Sequence, residues 1–364
     1  MDKRRIGILT GGGDCPGMNA VIRAVAKKAI LDHGFEVIGI EDGYEGLIHN
    51  RCRPLTFDDV SGIITLGGTV LGTSNTANPY AYGTRKDGDV VFEDVSPAAL
   101  ATIEKLGIEC LVCVGGDGSL TVAERLSSDG VPVVGVPKTI DNDLYGTDVT
   151  VGFDAAVSIA AEGIDRIHTT AQSHHRVMII EVMGRNAGWL ALHAGVAGGG
   201  DIILIPEIPY DIEAVVERVK QRSRAGKRFT IVVIAEGAKA KGGEVVVKRV
   251  VKGSVEPIRL GGISFALSPQ LEERTGMESR AVVLGHLLRG GSPTPFDRVL
   301  ATRMGTKAVD MVIDRQFCHM VGVKGESLIN VPLTEVTGRQ RKVPPGHPLV
   351  QSARSMGTCF GDHT

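Results

Sequence analysis

The chain has 364 residues, 43% of them hydrophobic, and a formal net charge of −2. This length suffices for two lobes with hydrophobic cores, and the near-neutral charge argues against nucleic-acid and polyanionic membrane partners, which bind clustered Lys and Arg. No apolar stretch approaches the roughly 20 residues that a membrane-spanning helix requires, and no secretory signal is visible. We therefore expect a cytoplasmic protein with no membrane partner and no nucleic-acid partner.

Short β-branched runs alternate with turn residues and helix-like patterns along the chain. The run from Arg5 to Thr10 predicts a first strand, and the apolar period from Met18 to His33 predicts a helix that ends at Gly34. The remaining predicted strands are Glu36 to Ile40, Leu111 to Val114, Val133 to Val136, Arg176 to Val182, Asp201 to Ile205, Phe229 to Ile234 and Arg280 to Leu284.

Two segments interrupt this alternation. The polar, turn-rich stretch from Thr73 to Asp94 predicts an extended surface loop with a hairpin at Val90 to Phe92. Near the end of the chain, the basic, Pro-containing stretch from Arg339 to Pro348 predicts a tail or arm.

The alternation of strands and helices indicates an α/β fold class, with two Rossmann-like lobes built on mainly parallel sheets. Ligands of such sheets bind outside the carboxyl ends of the strands. We therefore expect the unusual residues that follow the strands to converge on one crevice, an active site in the cleft between the lobes.

Two glycine loops follow predicted strands. Gly11 to Gly17 lies between a strand and a helix N-terminus, and it is either a phosphate cradle or a plain tight turn. In Gly115-Gly116-Asp117-Gly118-Ser119 the glycines flank one carboxylate. Asp117 can hold Mg²⁺ while neighbouring N–H groups bind phosphate oxygens, and the alternative is a turn residue or a helix N-cap.

Carboxylates cluster after the strand that ends in Pro137-Lys138. In Thr139-Ile140-Asp141-Asn142-Asp143, two carboxylates stand two residues apart with an amide between them. One carboxylate can accept the proton of a hydroxyl that attacks phosphorus, and the second can orient the first or a metal-bound water. The alternative is an Asx-rich turn.

Basic residues border these loops. Arginine is suited to bidentate phosphate contacts and to charge that develops on a transferring phosphoryl group. The candidates are Arg176, Arg185, Arg280 and Arg289, with His286 close by. Glu236 follows another predicted strand, where it either accepts sugar hydroxyls or is an ordinary surface carboxylate.

Taken together, these motifs resemble the 6-phosphofructokinase family. The motifs that occur in the family's order and approximate spacing are GGGDCPGMN at 11–19, GGDGS at 115–119, PKTIDND at 137–143, Met183-Gly184-Arg185 and GHLLRGG at 285–291. The resemblance runs from about Arg5 to about Val331, which is most of the chain.

The resemblance implies phosphoryl transfer from ATP to the 1-hydroxyl of fructose 6-phosphate, a step of glycolysis, with Mg²⁺ as cofactor. Asp117 would bind Mg²⁺, and Asp141 would accept the proton, with Thr139 and Asp143 beside it. The phosphoryl donor would contact Gly12, Gly116, Asp117, Gly118 and Ser119.

The resemblance also implies a sugar-phosphate site and an oligomer. The sugar phosphate would contact Thr139, Ile140, Asp141, Met183, Gly184, Arg185, Glu236, His286 and Arg289. Arg185 would also stabilise the transferring group. Arg176 and Arg280 resemble the family's arginines that reach the sugar phosphate of a neighbouring subunit, so a homodimer or homotetramer is implied.

Two positions point to different donors. In the family, a Gly at position 118 leaves room for the α-phosphate of ATP, whereas pyrophosphate-dependent relatives usually carry Asp there. Lys138, however, resembles the pyrophosphate users, and Asn75 stands where many ATP-using relatives have Arg. We favour ATP, because Lys138 removes the space beside Gly118 only if it reaches the nucleotide pocket. Pyrophosphate remains the alternative donor.

The resemblance divides the chain into lobes. Residues 1–143 would form the donor-binding lobe, completed by about 270–310, and residues 144–269 the sugar-phosphate lobe, completed by about 311–335. Residues 336–364 would be a C-terminal tail.

Three other classes explain less of the sequence. A NAD-dependent dehydrogenase requires a GxGxxG loop, which Gly11 to Gly17 does not match. A lipid or NAD kinase shares the GGDG string but leaves the 139–143 cluster and the arginines unexplained. A non-catalytic sugar-phosphate sensor should have lost Asp117 or Asp141, and both are present.

Overall fold

The computed structural model describes residues 4–86, 89–250 and 258–363. Its strands, in chain order, are β1 (Arg5–Thr10), β2 (Glu36–Ile40), β3 (Cys52–Leu55), β4 (Tyr82–Lys86), β5 (Asp89–Glu93), β6 (Ile108–Gly115), β7 (Val133–Pro137), β8 (Val177–Val182), β9 (Ile202–Leu204), β10 (Thr230–Ala235), β11 (Val247–Val250), β12 (Ile258–Leu260), β13 (Ser279–Val283), β14 (His319–Lys324) and β15 (Ser327–Pro332). The predicted strands are all present, with ends that shift by a residue or a few.

The helices lie between these strands. They are α1 (Met18–His33), α2 (Tyr44–Ile48), α3 (Ser96–Leu106), α4 (Asp117–Ser128), α5 (Phe153–His174), α6 (Trp189–Ala197), α7 (Ile212–Arg224), α8 (Ile263–Thr275), α9 (Pro295–Ile313), α10 (Leu333–Val336) and α11 (Pro348–Ser355), with short 3₁₀ turns at Ile63–Thr65 and Gly285–Arg289. The predicted helix at Met18 to His33 is confirmed, and Gly34 ends it with a left-handed φ of 65°.

The larger sheet of the described residues has seven strands in the order β15-β14-β7-β6-β1-β2-β3. Its five central strands are parallel, and the edge strands β15 and β3 are antiparallel to their neighbours. Ile6 and Ile8 of β1 face the core beneath α1 and α9, whereas Leu9 faces the core beneath α3 and α4. Burial on both faces explains the continuous apolar runs.

A second sheet has four parallel strands in the order β13-β8-β10-β9 among the described residues. Met178 and Ile180 of β8 face the core beneath α5 and α6, and Val177 and Ile179 face the core beneath α7 and α8. Each lobe is therefore a mainly parallel sheet between two helical layers, which confirms the α/β fold class.

The expected lobe completion is wrong for three strands. β13 lies in the segment assigned to the first lobe but pairs with β8 in the second sheet. β14 and β15 lie in the segment assigned to the second lobe but extend the first sheet, beside β7. Of the 270–310 segment, α9 does pack on α1 of the first lobe. Strand patterns reveal that a segment is a strand, but not which sheet edge it joins.

The expected C-terminal tail is also wrong. Val343, Val350, Ala353 and Phe360 are buried in the core of the second lobe. The segment packs because these apolar side chains are spaced among its basic residues, and the basic residues dominated the sequence pattern.

The loop between β3 and α3 contains the predicted hairpin. β4 and β5 pair antiparallel, and Val90 to Phe92 lies in β5. Residues 87–88, between these two strands in the chain, lie outside the described residues. Within the part of the chain that the structure describes, no helix is long and apolar enough to cross a membrane.

Candidate active site

The first glycine loop begins where β1 ends. The Gly11 N–H donates to the Val114 carbonyl of β6 (2.9 Å), so the loop is tied to the neighbouring strand. Gly12 has a φ of 77°, a conformation that favours glycine. A Cβ at Gly12 would lie 3.5 Å from Nζ of Lys138 and 3.6 Å from Oγ of Ser119. The loop therefore brings together backbone N–H groups, a lysine and a serine.

Arg289 of the second lobe reaches into this loop. Its Nη1 donates to the Asp14 carbonyl (3.1 Å), and a Cβ at Gly13 would collide with the guanidinium. The absent side chain at position 13 is thus what permits the approach. Asp14 and Arg289 are 275 positions apart in the chain, and they meet here across the two lobes.

Lys138 lies at the base of the same loop. Its Nζ donates to the Gly13 carbonyl (2.5 Å), and only 3% of the residue is exposed. Burial lowers the pKa of the Lys138 ammonium to about 8, and the nearby Arg289 acts in the same direction. Lys138 thus reaches the loop that would cradle phosphate, but it does not occupy the space beside Gly118.

The second glycine loop caps α4. The helix begins at Asp117, so the positive end of its dipole lies at the loop. A Cβ at Gly118 would have no atom within 4 Å. Ser119 is buried, and its side chain packs against Gly11 and Gly115. Ser119 therefore joins the two glycine loops.

Mg²⁺ fits this loop. No group of three or more His, Cys, Asp or Glu side chains suited to a metal occurs in residues 4–86, 89–250 and 258–363. Mg²⁺, however, is usually held by one or two carboxylates together with phosphate oxygens. The Asp117 carboxylate, partly exposed at a helix N-terminus and accepting from the Gly338 N–H (3.1 Å), provides such a ligand.

The acidic cluster follows β7. The Asp141 N–H donates to Oγ1 of Thr139 (3.1 Å), and that hydroxyl lies 3.4 Å from Oδ1 of Asp143. Between the carboxylates, Asn142 has a left-handed φ of 51°. Thr139 thus joins the backbone of Asp141 to the carboxylate of Asp143. The Ile140 side chain is 2% exposed and lies in the second core, so only its backbone can face a ligand.

Two loops of the second lobe lie side by side. Gly184, with a φ of 131°, follows β8, and its carbonyl accepts from the Gly237 N–H (3.1 Å). A Cβ at Gly237 would collide with the Arg185 carbonyl. Met183 to Arg185 and Glu236 are consequently held together at the carboxyl ends of β8 and β10.

Glu236 has an altered affinity for protons. Burial raises the pKa of Glu236 to about 7, and the neighbouring Glu181 adds to the rise. Arg289 and Arg185 act in the opposite direction. These two arginines are therefore close enough to influence the Glu236 carboxyl. His286 lies exposed in the same 3₁₀ turn as Arg289.

Arg176 and Arg280 lie elsewhere. They stand at the amino ends of β8 and β13, and Arg176 Nε contacts the Glu278 carboxylate (2.7 Å). Arg280 contacts Glu278 and lies 3.5 Å from Glu272. An open groove of about 740 Å³ is lined in part by Phe265 and Arg280. Within one chain the structure does not bring these two arginines to the crevice.

Sequence reasoning missed two residues of the site. Asn142 donates from Nδ2 to the Asp148 carbonyl (3.2 Å) and accepts at Oδ1 from Thr150 (3.4 Å), so it supports the acidic cluster. Arg341, which was assigned to a tail, donates to the Asn142 carbonyl (3.2 Å). The Asx-rich string at 141–143 was the signal for Asn142, but no local signal marked Arg341.

Known proteins match the whole chain. It is 52% identical to the ATP-dependent 6-phosphofructokinase 2 of Clostridium perfringens, over 99% of both chains. It is 50% identical to the ATP-dependent 6-phosphofructokinase of Chloroflexus aurantiacus, over 99% of this chain and 98% of that protein. It is also 51% identical to the pyrophosphate–fructose 6-phosphate 1-phosphotransferase of Amycolatopsis methanolica, over 94% of this chain and 96% of that one.

Solved structures and a family model agree with these matches. The chain superposes on Pichia pastoris phosphofructokinase with a TM-score of 0.79 and 32% identity, covering 92% of this chain but only 35% of that much longer one. The pyrophosphate-dependent phosphofructokinase of Marinobacter aquaeolei shares the fold, with a TM-score of 0.78 at 23% identity. The sequence model described as Phosphofructokinase matches residues 5–312. The chain therefore belongs to the phosphofructokinase family.

Proposed function

We propose that this chain transfers the γ-phosphoryl group of ATP to the 1-hydroxyl of fructose 6-phosphate, giving fructose 1,6-bisphosphate in glycolysis. The observation that carries the proposal is the contact of Arg289 with the first glycine loop. It joins a loop suited to a polyphosphate donor and loops suited to a sugar phosphate in one crevice, next to Asp141. The names of the relatives from Clostridium perfringens and Chloroflexus aurantiacus support the same donor and reaction class.

The donor lies against the two glycine loops in this proposal. Backbone N–H groups from Gly12 and from Gly116 to Ser119 bind phosphate oxygens, aided by the N-terminus of α4. Asp117 holds Mg²⁺, which when bound neutralises charge on the donor phosphates. Lys138 places an ammonium group at the Gly13 carbonyl, within the same loop.

Proton transfer is assigned to the acidic cluster. Asp141 accepts the proton of the sugar 1-hydroxyl as its oxygen attacks phosphorus. Thr139, hydrogen-bonded to the Asp141 N–H, and Asp143 orient it. Arg185 stabilises the negative charge that develops on the transferring phosphoryl group.

The sugar phosphate occupies the second-lobe side. The loop Met183-Gly184-Arg185, which follows β8, contacts the sugar phosphate. Glu236, which follows β10, accepts hydrogen bonds from the sugar hydroxyl groups. His286 and Arg289 contact it from the 3₁₀ turn. Because Arg289 also contacts the first loop, sugar binding and donor binding are coupled through this residue.

ATP is the donor that the space beside Gly118 favours. The position is exposed, and a Cβ built there would have no atom within 4 Å, so no side chain blocks an α-phosphate at this point. Lys138 favours pyrophosphate, the alternative donor. Its ammonium group lies in the first glycine loop, where it is placed to bind a phosphate group that carries no nucleotide. The relative from Amycolatopsis methanolica bears a pyrophosphate-dependent name.

The active unit is a homodimer or homotetramer in the cytoplasm. Arg176 and Arg280 both contact Glu278, outside the crevice of their own chain, and Arg280 lines an open groove that includes the exposed Phe265. From this position they are available to the sugar phosphate of a neighbouring subunit. The free sugar phosphate and ATP of the cytoplasm supply both substrates.

Phosphorus NMR of a reaction mixture tests the proposal. With fructose 6-phosphate, ATP and Mg²⁺, we expect ADP and a new 1-phosphate resonance to appear in equal amounts. Glucose 6-phosphate, which lacks the ketose 1-hydroxyl, serves as the control substrate and should give no product. ATP loss without a new phosphate ester, or an ester at another position, would overturn the assignment.

A further inference from the structure

The segment between α10 and α11, residues 337–347, contacts the acidic cluster, and we call it the C-terminal strap. It lies beyond residues 5–312, to which the family model extends. Gln340 pairs antiparallel with Leu144, just after the cluster. The strap is thus a strand-like element attached to the segment that carries Asp141.

Arg341 makes two hydrogen bonds to the acidic cluster. Its backbone N–H donates to the Asp143 carbonyl (2.7 Å), and its Nη1 donates to the Asn142 carbonyl (3.2 Å). Both acceptors immediately follow Asp141 in the chain. A rotation of this stretch would therefore break contacts with Arg341.

Trp189 fixes Arg341 from the other side. The guanidinium carbon lies 4.0 Å from the centre of the indole ring, and the indole Nε1–H donates to the Arg341 carbonyl (2.9 Å). Trp189 is 2% exposed and begins α6, close behind Met183 to Arg185. Arg341 is therefore held between the acidic cluster of the first lobe and the start of α6 in the second.

The cluster needs such support. Asn142 has a φ of 51°, a left-handed conformation that is uncommon for a residue other than glycine and is held by its surroundings. Its side chain is bonded to Asp148 and Thr150, and Arg341 binds its main-chain carbonyl. Loss of the guanidinium removes the side-chain hydrogen bond that holds the peptide between Asn142 and Asp143, and so loosens the stretch that carries Asp141.

The strap is also anchored on either side of Arg341. The Gly338 N–H donates to Oδ1 of Asp117 (3.1 Å). The Val343 N–H donates to Oε1 of Glu207 (2.8 Å), which also accepts from the Gly188 N–H (3.0 Å) beside Trp189. Arg341 occupies the middle of a segment that is fixed on both sides.

We propose that Arg341 is a positioning residue, which holds the 141–143 peptides so that the Asp141 carboxylate faces the sugar 1-hydroxyl. The inference rests on the proposed function of Asp141 as the proton acceptor. It predicts that loss of Arg341 lowers turnover much more than it weakens substrate binding, since Arg341 contacts the Asn142 and Asp143 carbonyls and Trp189, none of which is assigned to substrate binding.

The test compares Arg341→Ala with Arg339→Ala. Arg339 belongs to the same strap but lies over the Tyr145 ring, 4.8 Å from its centre, away from the cluster. Small displacements and lost support behind a site typically lower activity by about 10- to 100-fold, and we expect this fall in kcat for Arg341→Ala with little change in KM. Arg339→Ala should keep the kcat of the unsubstituted chain.

Two further readouts separate positioning from general destabilisation. Low concentrations of guanidinium chloride, well below denaturing levels, should restore part of the turnover of Arg341→Ala, whereas sodium chloride should not. Trp189 is the only tryptophan of the chain, so its emission should shift to longer wavelength in Arg341→Ala and stay unchanged in Arg339→Ala.

If Arg341→Ala does not fold, Arg341→Lys replaces it. Lysine keeps the charge but lacks the planar fork that both stacks on Trp189 and bonds to Asn142, so kcat should still fall. Equal kcat values for the Arg341 and Arg339 variants would overturn the proposal. A fall in kcat for Arg341→Ala that shows neither rescue by guanidinium nor a shift of the Trp189 emission would overturn it as well. Failure of the proposed function is distinguishable, because the unsubstituted chain would then form no fructose 1,6-bisphosphate.

Discussion

The polar residues at the two ends of the parallel strands make different contacts. At the carboxyl ends, Lys138 after β7 and Arg289 after β13 both reach the glycine loop that follows β1, across a lobe boundary in the case of Arg289. At the amino ends, Arg176 and Arg280 contact Glu278 and stay away from the crevice. The direction of a strand therefore decides which of its flanking residues can join a site within one chain.

This difference assigns different jobs to similar arginines. Arg289 and Arg185 affect the Glu236 carboxyl, so they belong to the environment where a sugar phosphate would lie. Arg280 borders an open groove instead. Substitutions at carboxyl ends should therefore change turnover or donor choice, whereas substitutions at amino ends should change only the affinity for the sugar phosphate.

The largest effect is expected for Asp141→Ser. Removal of a positioned proton acceptor typically lowers the rate by about 10²- to 10⁴-fold, and kcat should fall by that amount. Binding of fructose 6-phosphate, measured by titration calorimetry, should be largely kept because the second-lobe loops are intact. Near-normal turnover would show that Asp141 is not the base.

Gly118→Asp should change the donor. The new carboxylate would enter space that a nucleotide α-phosphate needs, and like charges placed together cost several kcal/mol, so kcat/KM for ATP should fall by about 100-fold. Gly118→Ala is the matched control, since the position is open to a Cβ, and it should keep its use of ATP. Equal losses in both variants would indicate a backbone effect.

Arg280→Ala should act on affinity alone. Loss of one charge-assisted contact to a phosphate raises KM by about tenfold or more, while kcat should change little. Arg274→Ala, which removes an arginine of α8 paired with Glu213, is the control and should leave KM unchanged. If kcat fell as far in Arg280→Ala as in Arg185→Ala, the distinction between the two strand ends would be contradicted.

The smallest effect concerns stability and pH. Because burial raises the pKa of Glu236 from an ordinary 4.5 to about 7, the folded chain holds more protons than the unfolded chain between these values. The stabilisation is thus fully present below the ordinary pKa and is lost as the pH rises through about 7. Glu236→Gln should flatten the decline of Tm between pH 5 and pH 8, whereas Glu217→Gln, at an exposed site, should not.

Much of the fold followed from local patterns. β-branched runs and the helical period of 18–33 gave the strands and α1, because both depend on neighbouring residues. The rule that ligands lie at carboxyl ends then grouped Gly12, Asp117 and Asp141 before any coordinates. Their roles in catalysis remain proposals.

The failures concern long-range pairing. Nothing local indicates that β13 joins β8 or that β14 joins β7, since each is an ordinary apolar run. Likewise, the strap was taken for a tail because Arg341 meets Trp189 and Asn142 only in the folded chain. Ile140 was predicted to contact the sugar phosphate because it lies within the 137–143 motif, although its side chain belongs to the core.

Steady-state kinetics with fructose 6-phosphate and Mg²⁺, varying only the donor, tests the central claim most directly. We predict turnover with ATP, at a kcat/KM well above that with pyrophosphate, because the space beside Gly118 accepts a nucleotide. Turnover with pyrophosphate alone would contradict the choice of donor, and turnover with neither donor would contradict phosphoryl transfer to this sugar.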